Sequence, residues 1–231
     1  LPEQADPDIV GKIRASLVAG KSVVITTGLL GALQDRGLSD IVELRVSGKR
    51  ALVKDFMVGF GPLVQSDEPV LIPQVDYLTN DSWEDASAID GWMGWPMLHE
   101  ADYSKGHLFV VTIPDNAADL YALPPALLNR IRATLARDMF VRLEGPSKVA
   151  LFAYDNDTLI VQNFRDEGVD IALVTAGRFK RLRDVQTGEL LTGETLPDNP
   201  RRRAGWAPSD AGKSYFKLGL KPHSFRVFRA E

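Results

Sequence analysis

The chain contains no cysteine in 231 residues. That excludes disulfide bonds, zinc–thiolate centres and cysteine nucleophiles. It does not fix the compartment, because proteins of oxidising compartments also occur without cysteine. No apolar run approaches the ~20 residues needed to cross a bilayer as a helix. Only three histidines are present, His99, His107 and His223, and no two are spaced as metal ligands usually are. No cofactor or metal is expected on these grounds. Net charge is small, −4, so nothing pulls the chain toward nucleic acid. The basic clusters Arg178–Arg183 and Arg201–Arg203 read as solvated faces. The opening residues do not read as a secretory signal peptide. The chain opens on Leu1-Pro2-Glu3 rather than methionine, so a processed product or a piece of a longer polypeptide is expected. The glycines of TTGLLGALQDRG are misplaced for a dinucleotide fingerprint.

What is present is an ordinary globular composition, 45% hydrophobic and 25% charged, enough for one large domain or two modest ones. Asp6-Pro7 reads as a helix start, with Asp as cap and Pro at the first helical position. Ile9, Val10, Ile13, Leu17 and Val18 follow at helical spacing. Gly20 ends that helix. Ser22–Thr26 is a nearly continuous apolar run, the pattern of a strand covered on both faces. Gly28 turns the chain into a second helix through Leu29, Leu30 and Leu33. Helix, buried strand and helix predict part of a doubly wound sheet. Ile41–Val46 and Arg50–Phe56 read as two strands joined across Gly48, and Val70–Ile72 as a short strand stopped by Pro73. Residues 79 to 106 read as a long, irregular, polar and aromatic stretch. His107–Ile113 is a buried strand, and Pro124-Pro125 opens an amphipathic helix.

Beyond Met139–Gly145 the pattern changes to short alternating strands. Asp155-Asn156-Asp157 separates Val149–Tyr154 from Thr158–Asn163, a hairpin signal. Val169, Ile171 and Leu173 alternate with Asp170 and Ala172, the period of a half-buried strand. The segments YDNDTLIVQNF, DVQTGELL and LKPHSFRVF resemble the small β-sandwich that closes many bacterial glycoside hydrolases. The earlier segments IVGKIRASLVAGK, SVVITTG and GHLFVVTIP, with the Leu1-Pro2 start, resemble the glutamine-amidotransferase-like domain. That domain has a flavodoxin-type fold and serves as the trimerisation domain of certain β-galactosidases. The resemblance implies an α/β plus all-β chain. A partial, flavodoxin-like (amidotransferase-like) sheet with flanking helices would span 1–142, and an antiparallel β-sandwich 143–231. One departure is decisive: amidotransferases attack with a cysteine, and this chain has none.

Glycosidases need two carboxylates facing each other across a sugar, roughly 5–10 Å apart. The 79 to 106 stretch supplies Asp81, Glu84, Asp85, Asp90, Glu100 and Asp102. It also holds Trp83, Trp92 and Trp95, whose indole faces suit stacking on sugar C–H faces. Trp83, Asp85, Trp92, Trp95, His99 and Glu100 are the candidate carbohydrate contacts. The competing reading anchors Trp92 and Trp95 in the core and turns the acids to water. The resemblance implies an accessory region without catalytic residues of its own. Its partner would be an N-terminal catalytic domain of the same polypeptide, with a glycan or further copies of the chain as additional partners. A periplasmic or extracellular location goes with that reading. The alternatives are a carbohydrate hydrolase using acids of the 79 to 106 stretch, or a glycan-binding module.

The absence of cysteine gives a direct expectation. The pure chain releases no ammonia from glutamine, because no thiolate is present to form the covalent acyl intermediate. A coupled glutamate assay checks this, and measurable hydrolysis would overturn it.

Overall fold

The computed structural model describes residues 6–77, 82–198 and 209–231. Leu1-Pro2, Asp81 and Arg201–Arg203, which entered the sequence reading, lie outside these described residues. The chain divides into two compact units, Leu1–Leu127 and Leu128–Glu231.

The first unit opens with helix α1 (Ile9–Val18). The expected cap is displaced by two residues. Asp8 stands at the N-cap without a side-chain bond, while Asp6 accepts from the Asp8 amide and pairs with Lys12. Ile13 and Leu17, four apart on one helix face, are buried. Gly20 ends the helix at φ 80°, and strand β1 (Ser22–Thr26) follows. The Thr26 hydroxyl then accepts from the Leu29 amide, capping α2 (Thr27–Leu33), whose Leu30 and Leu33 point inward. Strands β2 (Leu44–Val58), β3 (Leu63–Tyr77), β4 (Ser82–Asp90), β5 (Met93–Tyr103) and β6 (Gly106–Val111) complete the unit. They form a six-stranded sheet in the order β1-β6-β5-β4-β2-β3. Ile13, Leu17, Leu30 and Leu33 from the helices form one core with Ile25, Leu44, Val75, Leu108 and Val110 from the strands. Each such side chain contributes roughly 1.5–3 kcal/mol on burial.

This is not a flavodoxin-like sheet, and the expected α/β fold is corrected. Only β1 and β6 run parallel; every other neighbour pair is antiparallel. The reading of β1 as a strand covered on both faces fails for the same reason. It is an edge strand with Ile25 alone fully buried. The two short strands expected around Gly48 are one 15-residue strand, β2, and Gly48 sits at its register shift with φ 80°. Pro73 does not stop β3. It lies within that strand at the sheet edge, where a missing N–H is tolerated. Local helix and strand signals cannot distinguish a parallel crossover from a run of antiparallel hairpins.

In the second unit, helix α3 (Pro125–Leu135) carries the unit boundary. The strands are β7 (Val141–Glu144), β8 (Val149–Ala153), β9 (Thr158–Asn163), β10 (Val169–Thr175), β11 (Arg181–Asp184), β12 (Leu190–Thr192), β13 (Glu194–Thr195), β14 (Ser214–Leu220) and β15 (Phe225–Ala230). They make two antiparallel sheets, β13-β14-β10-β7 and β12-β11-β15-β9-β8. Alternate residues of both point into one core: Leu143, Leu173, Phe216 and Leu218 from the first, Leu159, Val161, Leu182 and Phe228 from the second. The Asp155–Asp157 turn closes the β8–β9 hairpin as expected. Asp157 holds φ 61°, and the Asn156 side chain accepts from the Thr158 amide. Asp184 caps the DVQTGELL turn by accepting from the Gln186 and Thr187 amides.

Close backbone approach at Gly106 gives a test of the first unit. A Cβ there would lie 2.5 Å from the Lys21 carbonyl oxygen and 2.6 Å from that of Leu17. Neither backbone atom can swing aside. Gly106→Ala is expected to destabilise by about 1–3 kcal/mol. Gly11→Ala, whose Cβ meets only the Asp8 carboxylate, should be neutral or stabilise by up to ~1 kcal/mol. Urea denaturation of both variants checks the contrast.

Candidate functional site

The stretch expected to be irregular is a β-hairpin over its described residues. Asp90 pairs with Met93 across a two-residue turn, and Gly91 takes φ 59° there. A second turn at Ser104 and Lys105 folds β6 back on β5, pairing Tyr103 with Gly106. Side chains directly opposite one another share a face of the sheet. Trp83 on β4 therefore stands beside Glu100 on β5, and Glu100 beside Phe109 on β6. Asp102, two residues along β5 from Glu100, is on the same face, and its partner across the ladder is His107.

This face gathers acids, an imidazole and aromatic rings. His107 Nδ1 lies 2.7 Å from Asp102 Oδ1 and 3.2 Å from Glu100 Oε1. The imidazole lies against Phe109, with centroids 6.3 Å apart and planes 30° apart. Glu100 is buried, at 4% exposure, whereas Asp102 is open to solvent. Trp83 is half-buried, with its indole Nε1 shielded and without a hydrogen-bond partner. A cleft of about 190 Å³ borders Asp102 beside Ser82, Ala101 and Tyr103. That is smaller than the ~300 Å³ at which small-molecule sites begin.

His99 pairs with Glu84 and Val110 and lies on the opposite face from Glu100. It is 1% exposed, and neither ring nitrogen has a hydrogen-bond partner. Its ring packs 5.6 Å from that of Tyr77. Glu84 accepts from the Ser87 hydroxyl. The negative charge of Glu84, with burial adding to it, holds the Tyr77 phenol above its ordinary pKa.

The six candidate contacts thus separate. Trp83 and Glu100 come together. Asp85 is buried at the bulge where the Glu84–His99 pairing gives way to Ala86–Leu98, and its carbonyl accepts from the Gly59 amide. Trp95 is core, at 9% exposure, and Trp92 is fully exposed at the hairpin tip. His99 is sealed behind the sheet. Sequence reasoning missed His107 as a partner of these acids and missed Phe109. The available signal was the Ser104-Lys105 turn, which sets Asp102 opposite His107.

In the second unit a cleft of about 530 Å³ is lined in part by Arg142, Asp210 and Lys213, and these charges satisfy one another. Arg142 binds Asp210 in bidentate fashion, with both contacts at 2.6 Å, and also pairs with Glu144. Burial pushes the Asp210 carboxyl up, but the bonds from Arg142 and Lys213 outweigh it and hold the group below its usual range.

Residues 140–230 match the family model described as "Probable glycosyl hydrolase, C-terminal domain". Among solved structures, β-galactosidase from Bacillus circulans sp. alkalophilus is similar at 15% identity and a TM-score of 0.48. The similarity covers 97% of this chain but 31% of the β-galactosidase, so the chain spans under a third of that enzyme's length. No curated protein matches the sequence.

Burial gives His99 a measurable signature. Loss of solvent lowers its pKa from 6.5 to about 4. The unfolded chain therefore takes up a proton, as pH falls below about 6.5, that the folded chain refuses. Stability is unaffected above that pH and declines between 6.5 and 4, by ~3 kcal/mol when complete. His99→Leu should flatten this part of the profile. Urea midpoints at pH 7.5 and pH 5 for both proteins check it; an equal decline in the variant would show that other groups carry the dependence.

Proposed function

We propose that the chain is a non-catalytic accessory region of a larger carbohydrate-active protein, supporting its catalytic domain or its assembly. The observation that carries this reading is the match of residues 140–230 to a glycosyl hydrolase C-terminal domain. The architecture agrees with it: inward positions of the sandwich are filled by apolar side chains, and charged groups around it are engaged with one another. Arg226 binds Asp184 and Glu189, and Arg183 binds Glu231. Charges so occupied hold turns and termini in place. We assign the strands from β7 (Val141–Glu144) onward to the sandwich module and the first unit to the preceding one. The partner would be an N-terminal catalytic domain of the same polypeptide, working in the periplasm or outside the cell.

Trp92 favours a role for the first unit in contact, with that domain, with a glycan or with a second copy. A fully exposed indole at a two-residue hairpin tip presents a large apolar face. Trp95 and His99 are buried, and Trp83 stands beside Glu100, so Trp92 is the first residue to test.

The full chain is expected to release no product from aryl glycosides or oligosaccharides. Trp92→Ala should leave stability within ~0.5 kcal/mol of the parent while weakening capture of the catalytic domain, or of oligosaccharide, at least tenfold. Trp95→Ala should instead destabilise by about 3–5 kcal/mol. Turnover that disappears in Glu100→Gln would replace the accessory reading with the hydrolase one.

A further inference from the structure

We propose that Glu100, Asp102 and His107 form a binding site for a first-row divalent transition-metal cation of the zinc type. The inference is independent of the accessory reading, since it concerns only the β5–β6 ladder.

Three ligand types converge there because the register leaves them no other face. Glu100 and Asp102 are two apart on one strand, and His107 is directly opposite Asp102 on the next. One ligand atom from each residue lies within 4.8 Å of the other two. His107 Nδ1 is close to both carboxylates, yet it is aligned for a hydrogen bond with neither and is shielded from solvent. A ring nitrogen this near two carboxylate oxygens, and donating to neither, is placed to act as a ligand. Metal–ligand bonds of about 2.0–2.2 Å place ligand atoms of one site roughly 3–3.5 Å apart. The 3.2 Å separation from Glu100 already fits, and the 2.7 Å separation from Asp102 needs a shift of under ~1 Å that an exposed side chain allows.

Charge points the same way. A divalent cation placed between Glu100 and Asp102 interacts favourably with both carboxylates at once. The donor set selects the ion. One imidazole nitrogen with two carboxylate oxygens suits zinc and its first-row neighbours, whereas calcium and magnesium prefer oxygen alone. Phe109, directly across from Glu100, fixes the imidazole plane by stacking, the kind of outer support that orients metal ligands. Three protein ligands leave at least one coordination position, and it opens on the solvent side, where the Asp102 side chain is 56% exposed.

The test is zinc titration of the chelator-treated full chain by calorimetry, beside Asp102→Asn, His107→Gln and His223→Gln. His223 pairs with Asp166 at the surface, 2.8 Å apart, and controls for adventitious binding. One equivalent of zinc should bind the parent and the His223 variant alike, and at least tenfold more weakly in both ladder variants. Asp102 is exposed, so its variant is expected to fold; circular dichroism confirms this before titration. The proposal is overturned if the parent binds no zinc, if binding survives both ladder substitutions, or if it disappears in His223→Gln. Calcium binding at the same residues in place of zinc would overturn the assigned ligand class.

Discussion

Gly91 holds φ at 59°, and that backbone angle lets β5 fold back on β4 with Asp90 opposite Met93. Side chains along a strand alternate with period two, so slipping the pairing by one residue would move every partner to the other face. With the turn fixed, and the one-residue shifts at Met97 and Asp85 cancelling each other, Trp83 meets Glu100 and Glu84 meets His99. The second turn, at Ser104, fixes Asp102 opposite His107. Chemistry on one face and a sealed histidine on the other are therefore consequences of two short turns.

The two units handle charge differently. In the second, Arg142 and Arg226 have carboxylate partners at hydrogen-bond distance, Arg132 donates to the Gly145 and Pro146 carbonyls, and Asn163, with 0% exposure, donates to the Glu167 and Lys221 carbonyls and accepts from the Arg165 amide. These bonds tie two connecting segments to the end of β9, and such satisfied polar groups specify a unique arrangement. In the first unit, His99 is kept neutral by burial alone, and His107 stands between two acids without an aligned bond. Groups left in that condition mark places where a structure serves something besides its own stability.

Much of the second unit was legible in the sequence. Asp155-Asn156-Asp157 announces its hairpin through residues that tolerate positive φ, and the alternation of Val169, Ile171 and Leu173 announces β10. The first unit was half legible. Helices α1 and α2 follow from their apolar spacing, although α2 starts from the Thr26 cap rather than from a turn at Gly28; the sheet order does not follow. A buried parallel strand and an edge strand beside a hairpin can share the same apolar run, as Ser22–Thr26 demonstrates. The largest error fell on β4 and β5. Asp90-Gly91 is a hairpin dipeptide, but bulges at Asp85 and Met97 break the alternation around it, and three tryptophans drew the reading toward a loop. His107 was read alone because its partners lie across a turn, invisible to any fixed spacing.

Strand β3 closes the first sheet on one side, and its prolines have a bearing on solubility. The Leu71 carbonyl turns away from β2 and accepts from the Asp115 amide. Pro73, two residues beyond Leu71, faces that outer rim too, and Pro69 lies in the register shift between Val70 and Gln65. Neither has an N–H to offer. A foreign strand approaching there meets one carbonyl already engaged and two positions without donors, so it finds no continuous ladder to join. The rim thus resists templated sheet growth between molecules, a protection that matters where Leu52, directly opposite Leu71, is exposed and apolar.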